Sequence, residues 1–176
     1  AFRSILEDWY GRIPEKGHAC HVLSNHDQSR ALSRYLRGLG SRGAEYENDV
    51  AKCLAALLLT QKGTPFLYYG EEIGMRDGRI GRRDLQDPLG KKYYPLHPGR
   101  DRSRTPMQWD STDGAGFSSG KPWLPINGDY RERNVTAQSA DGASILSWYR
   151  SLIRLRKDSP ALREGTIEFL GGGDSD

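Results

Sequence analysis

The sequence predicts an α/β chain built on a parallel βαβ unit, followed by a long irregular excursion and a closing helix. Three observations predict it. HACHVLS (18–24) and PFLYYG (65–70) read as short strands, apolar at their centres and bounded by turn-prone residues. Between them, Val50, Leu54, Leu57 and Leu58 fall at i, i+4, i+7 and i+8, one apolar helical face over roughly 44–62. Strand, helix, strand with short links implies parallel pairing, because parallel neighbours need a crossover between them.

Each element has its own signal. Phe2, Ile5, Leu6 and Trp9 recur at helical spacing, and Gly11 and Pro14 stop the run. The first strand runs directly into Asn25-His26-Asp27. Gly63 stands where a helix C-cap belongs, and Pro65 prevents continuation. The 65–70 segment is aromatic, apolar and uncharged, which predicts a buried strand. From Glu71 to Ala140 there is no clear periodicity, and connections of that length are uncommon and usually functional. Ile145, Tyr149, Leu152 and Ile153 then mark a helix over Ser144 to Lys157, with Pro160 at its end. GTIEFL (165–170) reads as a short strand and GGGDSD (171–176) as a flexible end. There is no internal repeat, and two βα units are too few to close a barrel.

Composition narrows the function classes. With 176 residues, 36% of them hydrophobic, and 21 glycines, the chain is one domain with long irregular loops. The net charge of +3 is small, and no Lys/Arg run interleaves with aromatics, so no nucleic acid partner is expected. Cys20 and Cys53 lack metal-ligand spacing and read as buried core thiols. The longest apolar run, Leu54 to Leu59, is too short to span a membrane. The chain begins at Ala1 with no Met, so an upstream portion is expected, and the absence of a secretion signal therefore leaves the compartment open, with the cytoplasm favoured. No serine elbow, P-loop, dinucleotide fingerprint or zinc spacing is present, and no metal or cofactor is expected.

Three groups of residues carry candidate chemistry. Asn25-His26-Asp27 follows a parallel strand, where α/β architectures build their sites, although Asn and Asp serve turns and helix caps equally well. Glu71 and Glu72 follow the second strand, and at most one of two adjacent carboxylates on extended chain faces a site. The excursion holds Arg100, Arg102 and Arg104 at alternating positions. Its Trp109, Phe117 and Trp123 either stack on sugar faces or form a small core of their own.

At this point the segments resemble a known family. HVLSNHDQSR (21–30) resembles the region after the seventh barrel strand of alpha-amylase superfamily enzymes, and KGTPFLYYGEEIGM (62–75) their eighth strand and its turn. GRDRSRTPMQWD (99–110), AGF (115–117) and PWLPIN (122–127) are similar to exo-acting alpha-glucosidases and oligo-1,6-glucosidases. WYRSLIRLRK (148–157) resembles their eighth barrel helix.

The resemblance implies the seventh and eighth βα units of a TIM (β/α)8 barrel over 1–162, then the first strand of a C-terminal β-domain over 163–176. It implies that Asp27 is the carboxylate supporting the transition state, with His26 binding the sugar hydroxyls beside it. Arg104 is implied to hold the terminal glucose, Asp87 to lie near the leaving-group site, and Asn25 and Arg30 to play supporting parts. Retaining glycosidases of this kind use a nucleophile and an acid/base carboxyl, and hydrogen bonds to the 2-hydroxyl strengthen in the transition state. Both of those carboxyls precede the seventh strand in the family, and Glu71 matches the eighth-strand turn instead.

The expected function is therefore part of a retaining exo-alpha-glucosidase acting on malto- or isomalto-oligosaccharides. This chain alone is expected to be inactive, with the upstream barrel as its partner. A trehalose synthase-like transglycosylase and a non-catalytic transporter heavy subunit are the alternatives.

Overall fold

The computed structural model describes residues 2–14, 17–97 and 99–169. In chain order the elements are α1 (Phe2–Gly11), β1 (Cys20–Val22), α2 (Ala31–Gly38), α3 (Glu47–Thr60), β2 (Thr64–Phe66), α4 (Pro88–Tyr93), α5 (Val135–Ser139), α6 (Ile145–Asp158) and α7 (Pro160–Glu164). Single 3₁₀ turns lie at Gly40–Ala44, Glu71–Ile73, Arg82–Asp84 and Asp101–Ser103.

β1 and β2 pair in parallel, with Cys20 opposite Thr64, His21 opposite Pro65 and Val22 opposite Phe66. The crossover passes through α2 and α3, which is the expected βαβ unit. Both strands are shorter than expected. After Phe66 the chain turns, because the Glu71 carboxylate accepts the main-chain N–H of Tyr68 and Glu71 N donates back to Tyr68 O. The 65–70 segment is also not buried: Phe66 is 52% exposed, and Leu67 and Tyr69 remain partly open. One parallel neighbour covers only one edge of the strand and neither face.

The core lies on the other side of the crossover. Leu32 of α2, Ala51, Ala55 and Leu59 of α3, and Ile145, Tyr149 and Leu152 of α6 form one buried cluster. The apolar stripes of α3 and α6 face each other there, as their periodicity requires. α2 has no signal in the sequence beyond Leu32 and Leu36 at i, i+4. It starts where Ser24 Oγ accepts the N–H of Ala31, and it buries Ala31 and Leu32. Cys20 and Cys53 are both free and exposed, which corrects the buried-thiol expectation. Cys20 sits on the two-stranded sheet, and Cys53 lies off the Ala51–Leu54–Ala55–Leu58 face of α3.

The excursion is ordered around a second cluster of Ile73, Met75, Met107 and Leu146. An ion-pair network ties it to α3: Arg133 reaches Glu47 at 2.9 Å, Arg76 reaches Glu47 and Asp129 at 3.3 Å, and Arg133 also reaches Asp129 at 3.3 Å. Buried Asn134 closes the excursion by accepting the N–H of Ala137 at the start of α5. Ser144 does the same for Ser147 in α6.

The expected strand over 165–170 forms no ladder through residue 169; residue 170 and the 171–176 end lie outside the described residues. A strand exists only with a partner, and this segment meets helices instead: Gly165 N donates to Ala161 O, and the Arg3 guanidinium donates to Phe169 O. Among the described residues no helix is long and apolar enough to cross a membrane.

Candidate active site

The site is assembled where β1 ends. Asn25 Oδ1 accepts the main-chain N–H groups of Asp27 and Gln28, at 2.9 and 3.0 Å. This side-chain turn halts the strand and holds Asp27 out from the sheet. The turn reading of Asn25-His26-Asp27 is thus met by Asn25, and Asp27 is left free of the turn's hydrogen bonds at its side chain.

The Asp27 side chain is 52% exposed, and its Oδ1 accepts from two guanidinium groups: Arg100 Nη1 and Arg104 Nη2, each at 3.2 Å. His26 Nε2 lies 3.4 Å from Asp27 Oδ2, an ion pair whenever the ring is protonated. Arg104 is anchored a second time, its Nε donating to His26 O at 2.8 Å. One oxygen of Asp27 is thus held by two cations, and the other faces a histidine.

In the sequence Arg100 is only one of three alternating arginines. Nothing in the sequence singles it out; its partner in the structure, Asp87, lies thirteen residues earlier. Asp87 does not border open space: its side chain is fully buried, and it accepts from Arg100 Nη2, Nε and N at 2.8, 3.2 and 2.7 Å. The structure brings Asp87 onto Arg100, one of the two arginines at Asp27. The Arg100 guanidinium holds the Asp87 carboxyl well below the usual carboxylate range, and Asp87 in turn raises the pKa of Arg100.

Arg30 is 1% exposed. Its Nη1 donates to Tyr69 O at 2.7 Å, and its guanidinium lies over the rings of Tyr68 and Tyr69, 5.1 and 4.8 Å from the centroids. It braces the turn after β2 and does not reach Asp27. Glu71 and Glu72 are raised above the ordinary glutamate value by burial. Burial also pushes the Tyr69 phenol up to about 12, so it remains a donor, and it donates to Thr105 O at 2.7 Å.

Two clefts adjoin the site. One, of about 470 Å³, is lined by Tyr68, Tyr69, Trp109, Phe117 and Trp123, with Arg104 and Glu72 at its wall. The three excursion aromatics remain 44–55% exposed, so they line a groove and do not form a core of their own. The other, of about 530 Å³, has a mixed lining and contains Asp27, Arg100 and Arg102. Arg104 borders the first and bonds Asp27, which borders the second. Among the described residues no group of three or more His, Cys, Asp or Glu could hold a metal ion.

Comparison with known proteins settles the family. The alpha-amylase family, described as "Alpha amylase, catalytic domain", matches residues 1–165. This chain belongs to that family. A probable alpha-glucosidase of Rhizobium meliloti (strain 1021) is 43% identical over 166 residues, covering 94% of this chain and 29% of the relative. The oligo-1,6-glucosidase of Parageobacillus thermoglucosidasius is 36% identical over 189 residues, covering 96% of this chain and 32% of the relative. The crystal structure of the alpha-glucosyl transfer enzyme XgtA superposes with a TM-score of 0.87 at 38% identity, covering 98% of this chain and 31% of that one. The chain thus spans about a third of the length of the relatives it matches.

Proposed function

We propose that residues 1–162 form the seventh and eighth βα units of the catalytic barrel of a retaining alpha-glucosidase, and that Asp27 grips the terminal glucosyl residue as its bond breaks. The observation that carries this reading is the setting of Asp27. It stands at the C-terminal end of a parallel strand, half exposed, with two guanidinium groups and a histidine around it. A carboxylate so held is a preorganised acceptor for sugar hydroxyls. Its hydrogen bond to the 2-hydroxyl strengthens as the ring gains oxocarbenium character. Arg100, Arg104 and His26 supply donors beside it. The nucleophile and acid/base carboxyls belong to the preceding part of the barrel, and the residues over 163–176 begin a C-terminal β-domain.

The substrates in this reading are malto- or isomalto-oligosaccharides, and the full-length enzyme acts in the cytoplasm. Asp27→Asn in that enzyme lowers kcat on p-nitrophenyl alpha-glucoside by about a hundredfold or more, with kcat/KM falling alongside. A variant with undiminished kcat sinks the assignment.

A second reading is glucosyl transfer to a sugar acceptor in place of water, as in a trehalose synthase-like enzyme. The aromatic cleft beside Arg104 favours it, since apolar walls disfavour bulk water at the acceptor position. Glucose alone from maltose supports hydrolysis; a new disaccharide supports transfer. The non-catalytic heavy-subunit reading is disfavoured by the ordered, half-exposed Asp27–Arg100–Arg104 cluster, which leaves charged groups facing a cleft.

A further inference from the structure

We propose that Asp87 is a positioning residue that aims Arg100 at Asp27, and that this buried carboxylate thereby sets the strength of the grip on the glucosyl ring. The proposal rests on the reading of Asp27 given above. An arginine carries five N–H donors in a rigid planar fork. On Arg100 the edge formed by Nε and Nη2 is taken by Asp87. Nη1 is left projecting from the opposite side. One of its hydrogens reaches Asp27 Oδ1, and the other remains for a substrate hydroxyl.

The pair is also asymmetric in exposure, with the Asp87 side chain at 0% and that of Arg100 at 39%. The anchoring end is shielded from water and the ligand end is open.

The anchor is itself locked. Asp101 is fully buried, and its Oδ2 accepts the main-chain N–H groups of Gln86 and Asp87 at 2.6 and 2.9 Å. Asp87 Oδ2 in return accepts the main-chain N–H of Arg100. Each aspartate therefore takes main-chain donors from the other's segment, and LQDP (85–88) and GRD (99–101) interlock. Gly99 seals the join: at φ +68°, a Cβ there would stand 2.8 Å from Gly90 Cα and 3.0 Å from Asp87 Oδ2.

Among the described residues Arg104 has no such acid behind it and is held by His26 O and Asp27. Of the two arginines on Asp27, Arg100 is the one whose direction depends on a buried partner. Without Asp87, its released guanidinium is free to turn its full fork onto Asp27 and occupy the oxygens meant for the sugar.

A double-mutant cycle in the full-length enzyme tests this, because coupling through a shared partner makes the effects non-additive. Asp87→Asn, Arg100→Met and the double variant are compared by kcat and KM on p-nitrophenyl alpha-glucoside, with thermal melting as the folding control. Beside a native Arg100, Asp87→Asn is expected to lower kcat/KM by about tenfold or more. In the Arg100→Met background the same change is expected to cost less than about twofold. A purely structural role would cost the same in both backgrounds, and that additive result overturns the proposal, as does an Asp87→Asn enzyme with full kcat/KM. If Asp87→Asn does not fold, Asp87→Ser is put through the same cycle and judged by the same results. Asp27→Asn separates the two layers. An active Asp27→Asn enzyme overturns the underlying reading as well, whereas an inactive one with an additive cycle overturns only the role of Asp87.

Discussion

Arg30 shows how one residue can govern the pH response of this fold. Its Nε and Nη2 have no hydrogen-bond acceptor among the described residues, so its charge is balanced through space by Glu71 and Glu72. Burial raises both glutamates above their ordinary value, and Arg30 pulls both back down. Replacing Arg30 by Met removes that pull and raises the two carboxyls further. An acid with a raised folded-state pKa favours the fold fully below its unfolded value and loses that favour as pH rises through the folded one. Arg30→Met is therefore expected to cost about 3 kcal/mol near pH 7, the order found when one partner of a buried charge set is deleted, and clearly less near pH ~4.5. Urea melts at the two pH values measure the difference; an equal loss at both contradicts the charge argument. Asp87 has the opposite sign. Its pKa is lowered, so its stabilising contribution is complete above the ordinary aspartate value and is lost as pH falls below it. Of the candidate site residues, Asp27 and His26 are legible from their place after a strand, and Arg104 from family likeness. The meaning of Asp87 is not, because a pairing across thirteen residues of aperiodic chain leaves no periodic trace.

At the scale of elements, the turn after β2 decides whether the two halves of the chain meet correctly. Gly70 at φ +84° opens the 3₁₀ turn Glu71–Ile73, and Gly74 at φ +68° ends it. Between them Ile73 enters the second core, and Glu71 returns to the Tyr68 N–H. A Cβ on Gly70 would collide with the Met75 sulfur and press on Arg30 Nη1 at 3.0 Å, in a backbone region that L side chains rarely adopt. Gly70→Ala is expected to cost about 2 kcal/mol or more, read as a lower urea midpoint at unchanged slope. Asn134 is the comparable device at the far end of the excursion. Its Oδ1 caps Ala137 while its amide donates to Tyr130 O and Arg131 O at 2.8 and 3.2 Å. Asn134→Ala strands these groups in a buried setting and is expected to cost about 2 kcal/mol by thermal melting. The α3 and α6 helices are readable because each carries its own apolar stripe. The excursion is not, because it is held by ion pairs, caps and one small cluster, whose residues are scattered from Glu47 to Leu146. α2 is hidden for a related reason: only its first turn is buried, so two residues are too few to show a period.

For the whole molecule, the distribution of apolar surface bears on what this chain does by itself. The core between α2, α3 and α6 is closed, and so is the cluster beneath the excursion. The sheet side is open. Among the described residues β1 and β2 form a sheet of two strands, an arrangement marginal in water without further strands or covering faces. Val22 is 48% exposed beside the open Phe66, and on α1 Ile5 and Trp9 are 66% and 48% exposed. These residues present apolar surface, and β1 and β2 present unpaired edges, which in the proposed reading neighbouring barrel strands cover. The helical side is thus expected to hold while the sheet side loosens. The chain alone should retain its helical signal, bind an apolar dye and melt broadly, with no turnover of p-nitrophenyl alpha-glucoside. In the proposed reading, co-expression with the preceding part of the barrel sharpens the melt, suppresses dye binding and restores hydrolysis together, because one surface is responsible for all three. Restoration of activity with no change in dye binding would separate catalysis from closure of the sheet. A sharp monomeric melt of the chain alone would mean that the open side is stable as it stands.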